Sequence, residues 1–268
     1  MIYSLIPAKK QSSRLPGKNT FGFMLGGKPL IAYTIEAVKN AHITPYVFSD
    51  DTQPLPDGIS ETFGATIIKR PQEVSTEKTT MKETVKSFIK IMGIKRSDII
   101  LITYLTCPFR VAWHIEEALK MFEEHKTDSL QSVTEVNYRP YGLMARQTDG
   151  RLKCLQDQKD YYQQQNIPKL YRANGAIYIF KVSELNKLNN QMFNDKTISI
   201  GLDEISGHDI DTELDFMLAE KILERRNEHT VDKLPCPGGC EAKHNTNWSR
   251  ANIKHTEKGR TQSFGFRY

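Results

Sequence analysis

Ile2-Tyr3-Ser4-Leu5-Ile6-Pro7-Ala8-Lys9-Lys10-Gln11-Ser12-Ser13-Arg14-Leu15-Pro16-Gly17-Lys18-Asn19 is an apolar run that breaks abruptly into a cationic loop. The run, residues 2–7, is short and nearly continuous, as a strand buried on both faces should be. Apolar runs of similar length recur at residues 45–49, 65–68, 98–105 and 174–181. Helical spacings of three and four lie between them. Ile31, Ile35 and Val38 follow Pro29; Met81, Val85, Phe88, Ile89 and Met92 share one face; Ile115, Ala118, Leu119 and Phe122 mark a third helix. Strands alternating with helices of this length form βαβ crossovers, hence an α/β fold with a Rossmann-like, mainly parallel sheet flanked by helices.

Residues 128–170 interrupt the rhythm with a polar, Gln-rich stretch and read as an inserted subdomain that forms a dimer contact or a lid. A helix is expected from about Thr212 to Arg226. Beyond it, residues 227–268 lose periodicity and fill with Asn, Thr, Lys, Gly and His, a basic tail outside the domain of residues 1–226.

The 268 residues carry 37 Lys and Arg against 32 Asp and Glu. Seven basic and four acidic residues lie beyond Asn227, so most of the +5 surplus sits in the tail and the body is nearly neutral. That distribution speaks against a nucleic-acid binder, which needs a dense basic stripe on a folded face. The first apolar run precedes its charges, the reverse of a secretory signal, and no stretch approaches the roughly 18 apolar residues of a membrane span. Four cysteines in a chain of 268 residues are too few for a disulfide scaffold. The expectation is a cytoplasmic protein.

In an open parallel sheet, loops at the carboxyl ends of strands make the ligand crevice. The loop after the first strand offers Lys9, Lys10, Arg14 and Lys18 without an acidic residue, and adds Ser12, Ser13, Gln11 and Asn19. Fixed cations with neutral donors suit a polyphosphate, although the glycines of a Walker loop or dinucleotide fingerprint are missing. His208-Asp209-Ile210-Asp211-Thr212-Glu213-Leu214-Asp215 admits two readings. Extended, Asp209 and Asp211 share a face and suit Mg²⁺; alternatively Asp211 or Thr212 caps the following helix, with Glu213 and Asp215 in its first turn. Ser49-Asp50-Asp51, Arg70-Pro71 and Thr106-Cys107-Pro108-Phe109-Arg110 leave the second, third and fourth strands and join the same sheet edge. Cys236 and Cys240 with nearby histidines form a nonstandard spacing for zinc. Cys107 and Cys154 read as packing residues.

From Met1 to about Arg226 the chain resembles the CMP-sialic acid synthetase (acylneuraminate cytidylyltransferase) family. The matching blocks, in order, are Ile6-Pro7-Ala8 through Lys18-Asn19, Arg70-Pro71, Tyr171-Arg172-Ala173-Asn174-Gly175-Ala176-Ile177-Tyr178, and Asp209 to Asp215. The resemblance implies a nucleotide-diphospho-sugar transferase fold with a small inserted dimerisation subdomain. It also implies transfer of CMP from CTP to the anomeric hydroxyl of an acidic nine-carbon sugar, with release of pyrophosphate and a homodimeric assembly. By position, Lys18 and Asp211 are catalytic; Lys9, Ser12, Arg14, Lys18, Asn19 and Arg70 bind the nucleotide; Tyr104, Gln164, Asn174 and Tyr178 face the sugar; Asp209 and Asp211 hold Mg²⁺ or Mn²⁺.

The departures from the sialic-acid pattern are Lys9 for an arginine, Tyr104 for a glutamine, Gly142 for a lysine and Gln164 for an arginine. Tyr104 resembles the pseudaminic branch, so sialic, legionaminic and pseudaminic acids all remain open as the sugar. CMP-Kdo synthetase, whose loop is similar to Arg14-Leu15-Pro16-Gly17-Lys18, is the alternative among enzymes. A nucleotide-binding homologue that has lost catalysis is the alternative outside them.

Overall fold

The computed structural model describes residues 1–9, 15–18, 23–50, 63–136, 144–148, 150–154 and 169–228. Ser12, Arg14, Asn19, Gly142, Gln164, Cys236 and Cys240 lie outside them.

The chain divides into Met1–Glu224 and Arg225–Tyr268. In order, the elements are β1 (Ile2–Ala8), β2 (Met24–Leu25), β3 (Lys28–Pro29), α1 (Leu30–Asn40), β4 (Tyr46–Ser49), β5 (Thr66–Lys69), α2 (Met81–Met92), β6 (Ile99–Ile102), α3 (Ala112–Glu124), β7 (Ser129–Glu135), β8 (Met144–Arg146), β9 (Leu152–Cys154), β10 (Tyr171–Lys181), β11 (Ile198–Gly201) and α4 (Glu213–Glu228). Seven strands form the main sheet in the order β11-β7-β10-β6-β1-β4-β5. β1 runs parallel to β4 and β6, β4 to β5, and β11 to β7; β10 alone runs antiparallel, against β6 and β7. The mainly parallel α/β reading is therefore correct.

The period of two explains why both sheet faces are buried. Ile6, Leu101, Ile177 and Ile179 pack in one cluster with Ile31, Ile35, Ile115 and Ala219. Leu5, Ile100, Ile102, Tyr178 and Phe180, their alternating neighbours, pack in another with Val85 and Phe88. Burying each large aliphatic or aromatic side chain is worth about 1.5–3 kcal/mol, so this double layer is the main source of stability. α2 begins with a reciprocal Thr80–Glu83 capping box and ends at left-handed Gly93.

Two differences from the sequence reading have the same origin. Ser129–Glu135, assigned there to the insertion, is a strand of the main sheet. Its Ser, Gln and Thr look polar, yet Ser129, Gln131, Ser132 and Thr134 are all buried, and Ser132 and Thr134 are satisfied there by Asn174. Ile198–Gly201 is short and carried no periodic signal, but it finds a place beside β7. In both cases the pairing partner, not local composition, decides the strand. No helix among the described residues is long and apolar enough to cross a membrane.

Candidate functional site

The parallel register brings the ends of β1, β4, β5 and β6 to one edge of the sheet. Half-buried Lys9 follows β1 directly. The backbone N–H of Arg70, just past β5, donates to the Ser49 carbonyl at 2.7 Å, closing the edge between two loops. Lys18 is 5% exposed, and its ammonium donates to the Ile210 carbonyl at 2.7 Å and to Asp211 Oδ1 at 2.5 Å. The cationic loop and the carboxylate segment, 193 positions apart, thus meet in one ion pair.

Ile210 is fully buried, and its N–H donates to the Thr106 carbonyl at 2.9 Å. Asp209 and Asp211 flank it, both half-buried. Helix capping falls to other residues. Asp215 N–H donates to Thr212 Oγ1 at 3.3 Å, while Asp215 Oδ2 accepts from Thr212 N–H and hydroxyl at 2.8 Å each and from Asp211 N–H at 3.1 Å. Burial pushes the Asp215 carboxyl upward, but these hydrogen bonds outweigh it and leave the group below its ordinary range. His208 lies 2.8 Å from the Asp215 carbonyl through Nε2. The capping reading holds, on Thr212 and Asp215 at the start of α4, and it leaves Asp209 and Asp211 as the candidate metal pair.

The pair suits a hard cation by its chemistry. It supplies two carboxylates, and no group of three or more His, Cys, Asp or Glu side chains among the described residues offers a complete cage. Mg²⁺ is commonly held in this way, by one or two carboxylates with phosphate and water completing the shell. A soft donor, Cys107 Sγ, lies 3.8 Å from Asp209 Oδ1. Burial first, and then the Asp209 charge, push that thiol far up, so it stays protonated.

On the other side of the Thr106 turn, the Tyr104 and Tyr178 rings pack at a tilt of 42° with centroids 5.4 Å apart. Burial, followed by the neighbouring Tyr178, raises the Tyr104 hydroxyl well above its usual value. Tyr104 lies over Gly175, whose φ of +78° and missing side chain admit the ring: a Cβ there would stand 2.8 Å from it. Here β10 slips register against β7 between Ala173 and Tyr178.

Two residues expected to contact ligand are engaged within the protein. Asn174 is 1% exposed, and its amide is spent within the protein. Its Oδ1 accepts from the Ser132 hydroxyl at 2.5 Å and from Ala176 N–H at 3.1 Å, and its Nδ2 donates to Thr134 Oγ1 at 2.9 Å. It shapes the β10 bulge from within the protein. Arg70 is likewise buried, donating through Nε to the Val74 carbonyl at 2.8 Å and through Nη2 to the same carbonyl and to Thr84 Oγ1 at 2.9 Å. Its guanidinium braces the turn at Gln72–Val74 from within.

One organising residue escaped the sequence reading. Arg110 is 1% exposed and donates from Nη1 to the carbonyls of Tyr104, Cys107 and Ala176 at 3.2, 3.1 and 3.3 Å, and from Nη2 to Thr34 Oγ1 at 2.6 Å. Burial lowers its pKa to about 10. The Thr106–Arg110 block was visible as a motif, but only burial shows that its last residue ties α1, the turn and β10 together.

The cytidylyltransferase family profile matches residues 3–223. The chain belongs to the cytidylyltransferase family. The resemblance drawn from its motifs is thereby confirmed. Within this cytidylyltransferase family, an N-acylneuraminate cytidylyltransferase from Escherichia coli O18:K1:H7 is 32% identical over 86% of this chain and 54% of its own. The CMP-N,N'-diacetyllegionaminic acid synthase of Legionella pneumophila is 31% identical over 86% of this chain and 99% of its own. The chain thus spans about half the length of the Escherichia coli relative and nearly all of the Legionella one. The solved structure of a CMP:2-keto-3-deoxy-manno-octonic acid synthetase complexed with CTP superposes with a TM-score of 0.58, at 17% identity, over 84% of this chain and 99% of its own. That likeness confirms the α/β nucleotidyltransferase fold.

Proposed function

We propose that the protein transfers CMP from CTP to the anomeric hydroxyl of a nonulosonic acid of the sialic, legionaminic or pseudaminic type. The observation that carries this reading is the convergence of Lys18 with the Asp209–Asp211 pair at the carboxyl edge of the parallel sheet. In the reaction the hydroxyl oxygen bonds to the α-phosphorus, the bond from that phosphorus to the bridging oxygen breaks, pyrophosphate leaves, and the hydroxyl proton passes to solvent. Such a transfer asks mainly for positioning and neutralisation of charge.

Lys9 and Lys18, with Ser12, Arg14 and Asn19, would hold the triphosphate. Arg70 would keep the nucleotide-side turn in shape. Tyr104 and Tyr178 would wall the sugar side, with Asn174 setting the bulge behind them. Asp209 and Asp211 would hold Mg²⁺ or Mn²⁺, which when bound supplies charge neutralisation at the phosphate oxygens and the leaving group. The sequence similarity to a legionaminic and a sialic acid enzyme supports the sugar class. The same reading carries a homodimer working in the cytoplasm, where CTP is available.

The test is pyrophosphate release by the purified chain with CTP and Mg²⁺, run in parallel on sialic, legionaminic, pseudaminic and Kdo acids. Release with one of the first three is expected. Release with Kdo alone, or CTP binding with silence on all four, overturns the proposal.

A further inference from the structure

We infer that Asn174 is a positioning residue for Asp209: with its side chain and its carbonyl it braces the loop that carries this carboxylate. What Asp209 does in the site rests on the cytidylyl-transfer reading. Where it stands is decided by contacts among β7, β10 and the loop ahead of α4.

Asn174 is fixed before any ligand arrives. Its amide is pinned to β7 by the Ser132 hydroxyl, which donates to Oδ1, and by Thr134 Oγ1, which accepts from Nδ2 at 2.9 Å. The pinned amide forms a floor under Gly207. A Cβ on Gly207 would lie 2.7 Å from Asn174 Nδ2 and 2.3 Å from Thr134 Oγ1, so the loop backbone rests directly on this pair and no side chain fits between them. Upstream the loop is stiff. Asp203 accepts from Ile205 N–H, Ser206 N–H and the Ser206 hydroxyl, and the Gly207 N–H donates to the Asp203 carbonyl at 2.9 Å. Downstream, Ile210 N–H is tied to the Thr106 carbonyl at 2.9 Å. Only His208 and Asp209 lie between the Gly207 contact and that tie. A chain spans at most about 3.6 Å per residue, so a shift of Gly207 on its floor passes into Asp209 with little slack to absorb it.

A second contact runs through the Asn174 backbone. Its carbonyl accepts from Cys107 Sγ at 3.2 Å, and the same sulfur lies 3.8 Å from Asp209 Oδ1. Burial keeps the thiol protonated, so it stands between strand and carboxylate as a neutral spacer rather than as a competing charge. The register slip of β10 against β7, between Ala173 and Tyr178, falls at this residue. Asn174 thus reaches Asp209 by two routes, the loop backbone and Cys107.

The experiment compares wild type with Asn174→Ala, which removes the floor, and Thr134→Val, which keeps the shape against Gly207 but takes away the acceptor that pins the amide. Circular dichroism confirms the fold, and crystal structures of the folded variants read the position of Asp209 directly. The carboxylate should shift by about 1 Å, a misplacement that costs about 100-fold in turnover. In the pyrophosphate assay kcat should therefore fall by about 100-fold in Asn174→Ala, with the sugar KM within about threefold of wild type. In an Asp209→Asn background the same substitution should cost less than about threefold further, because its effect passes through the carboxylate. An unchanged Asp209 position in the folded variants overturns the inference. So does a sugar KM raised about tenfold or more with kcat kept, the mark of a ligand contact, or an equal fold-loss in both backgrounds, the mark of a merely structural role. The crystallographic readout needs neither sugar nor turnover. Silence of the wild type on all four acids would strike the proposed function, while the position of Asp209 would still decide the role of Asn174.

Discussion

Gly207→Ala should be among the most damaging single-methyl changes in the chain. A Cβ at Gly207 would stand 2.3 Å from Thr134 Oγ1 and 2.7 Å from Asn174 Nδ2. Carbon contacts are comfortable only beyond about 3.5 Å, so the neighbours would have to retreat by about 1 Å. Neither can do so cheaply, because Asn174 Nδ2 and Thr134 Oγ1 are hydrogen-bonded to each other at 2.9 Å inside the protein. Overpacking costs about 1–3 kcal/mol and a buried amide left without its acceptor a similar amount, so the expected loss is about 3 kcal/mol. The strain would also shift the segment leading into Asp209. Urea unfolding followed by far-ultraviolet circular dichroism measures the loss. In a Thr134→Ala background, where the nearest obstacle is gone, the same substitution should cost at least about 1 kcal/mol less. Gly93→Ala is the control. That residue has φ +63° and nothing within 4 Å of a Cβ, so only the left-handed backbone penalises it, by about 1 kcal/mol. A loss below about 0.5 kcal/mol for Gly207→Ala, or the same cost in both backgrounds, would refute the close-packing argument.

Arg110→Met keeps the length of the side chain but removes the donors serving the carbonyls of Tyr104, Cys107 and Ala176, and should lower unfolding free energy by about 3 kcal/mol in a denaturant titration. Cys107 should resist iodoacetamide at pH 8 in the native protein and react once urea exposes it, because burial holds the thiol protonated; peptide mapping separates it from the other cysteines. Asp203 accepts from Ile205 N–H, Ser206 N–H and the Ser206 hydroxyl. Burial pushes its pKa up, but these bonds outweigh it and lower the folded value. Its stabilisation is complete above the unfolded carboxylate value of about 4 and is lost as pH falls through the folded one. Asp203→Asn should therefore flatten the acid side of the stability curve; an unchanged acid slope would count against this role.

Much of the fold was open to a local reading. The alternation of short apolar runs with spacings of three and four located β1, β4, β5, β6 and β10 and the four helices, since burial on both faces of a sheet imposes that pattern on consecutive residues. Strand polarity followed from the helical crossovers, and with it the edge where the loops gather. Thr212 and Asp215 were recognisable as a helix start because capping acts over three or four positions. Where the outcome depended on a distant partner, local pattern failed. Ser129–Glu135 is polar in composition, and its place in the main sheet depends on β10 and β11 beside it.

The candidate site divides along the same line. The sequence alone picked out its candidate residues, a cationic loop after β1 and two aspartates ahead of α4, because charge and hydrogen-bonding capacity belong to the side chain wherever it lies. Tertiary structure alone decided how they are used. It turned Arg70 and Asn174 inward as braces, buried Arg110 as a tie between three elements, and joined Lys18 to Asp211 across the whole length of the domain. A side chain's type is local, whereas its partner, exposure and ionisation are set by residues that only the folded chain brings within reach.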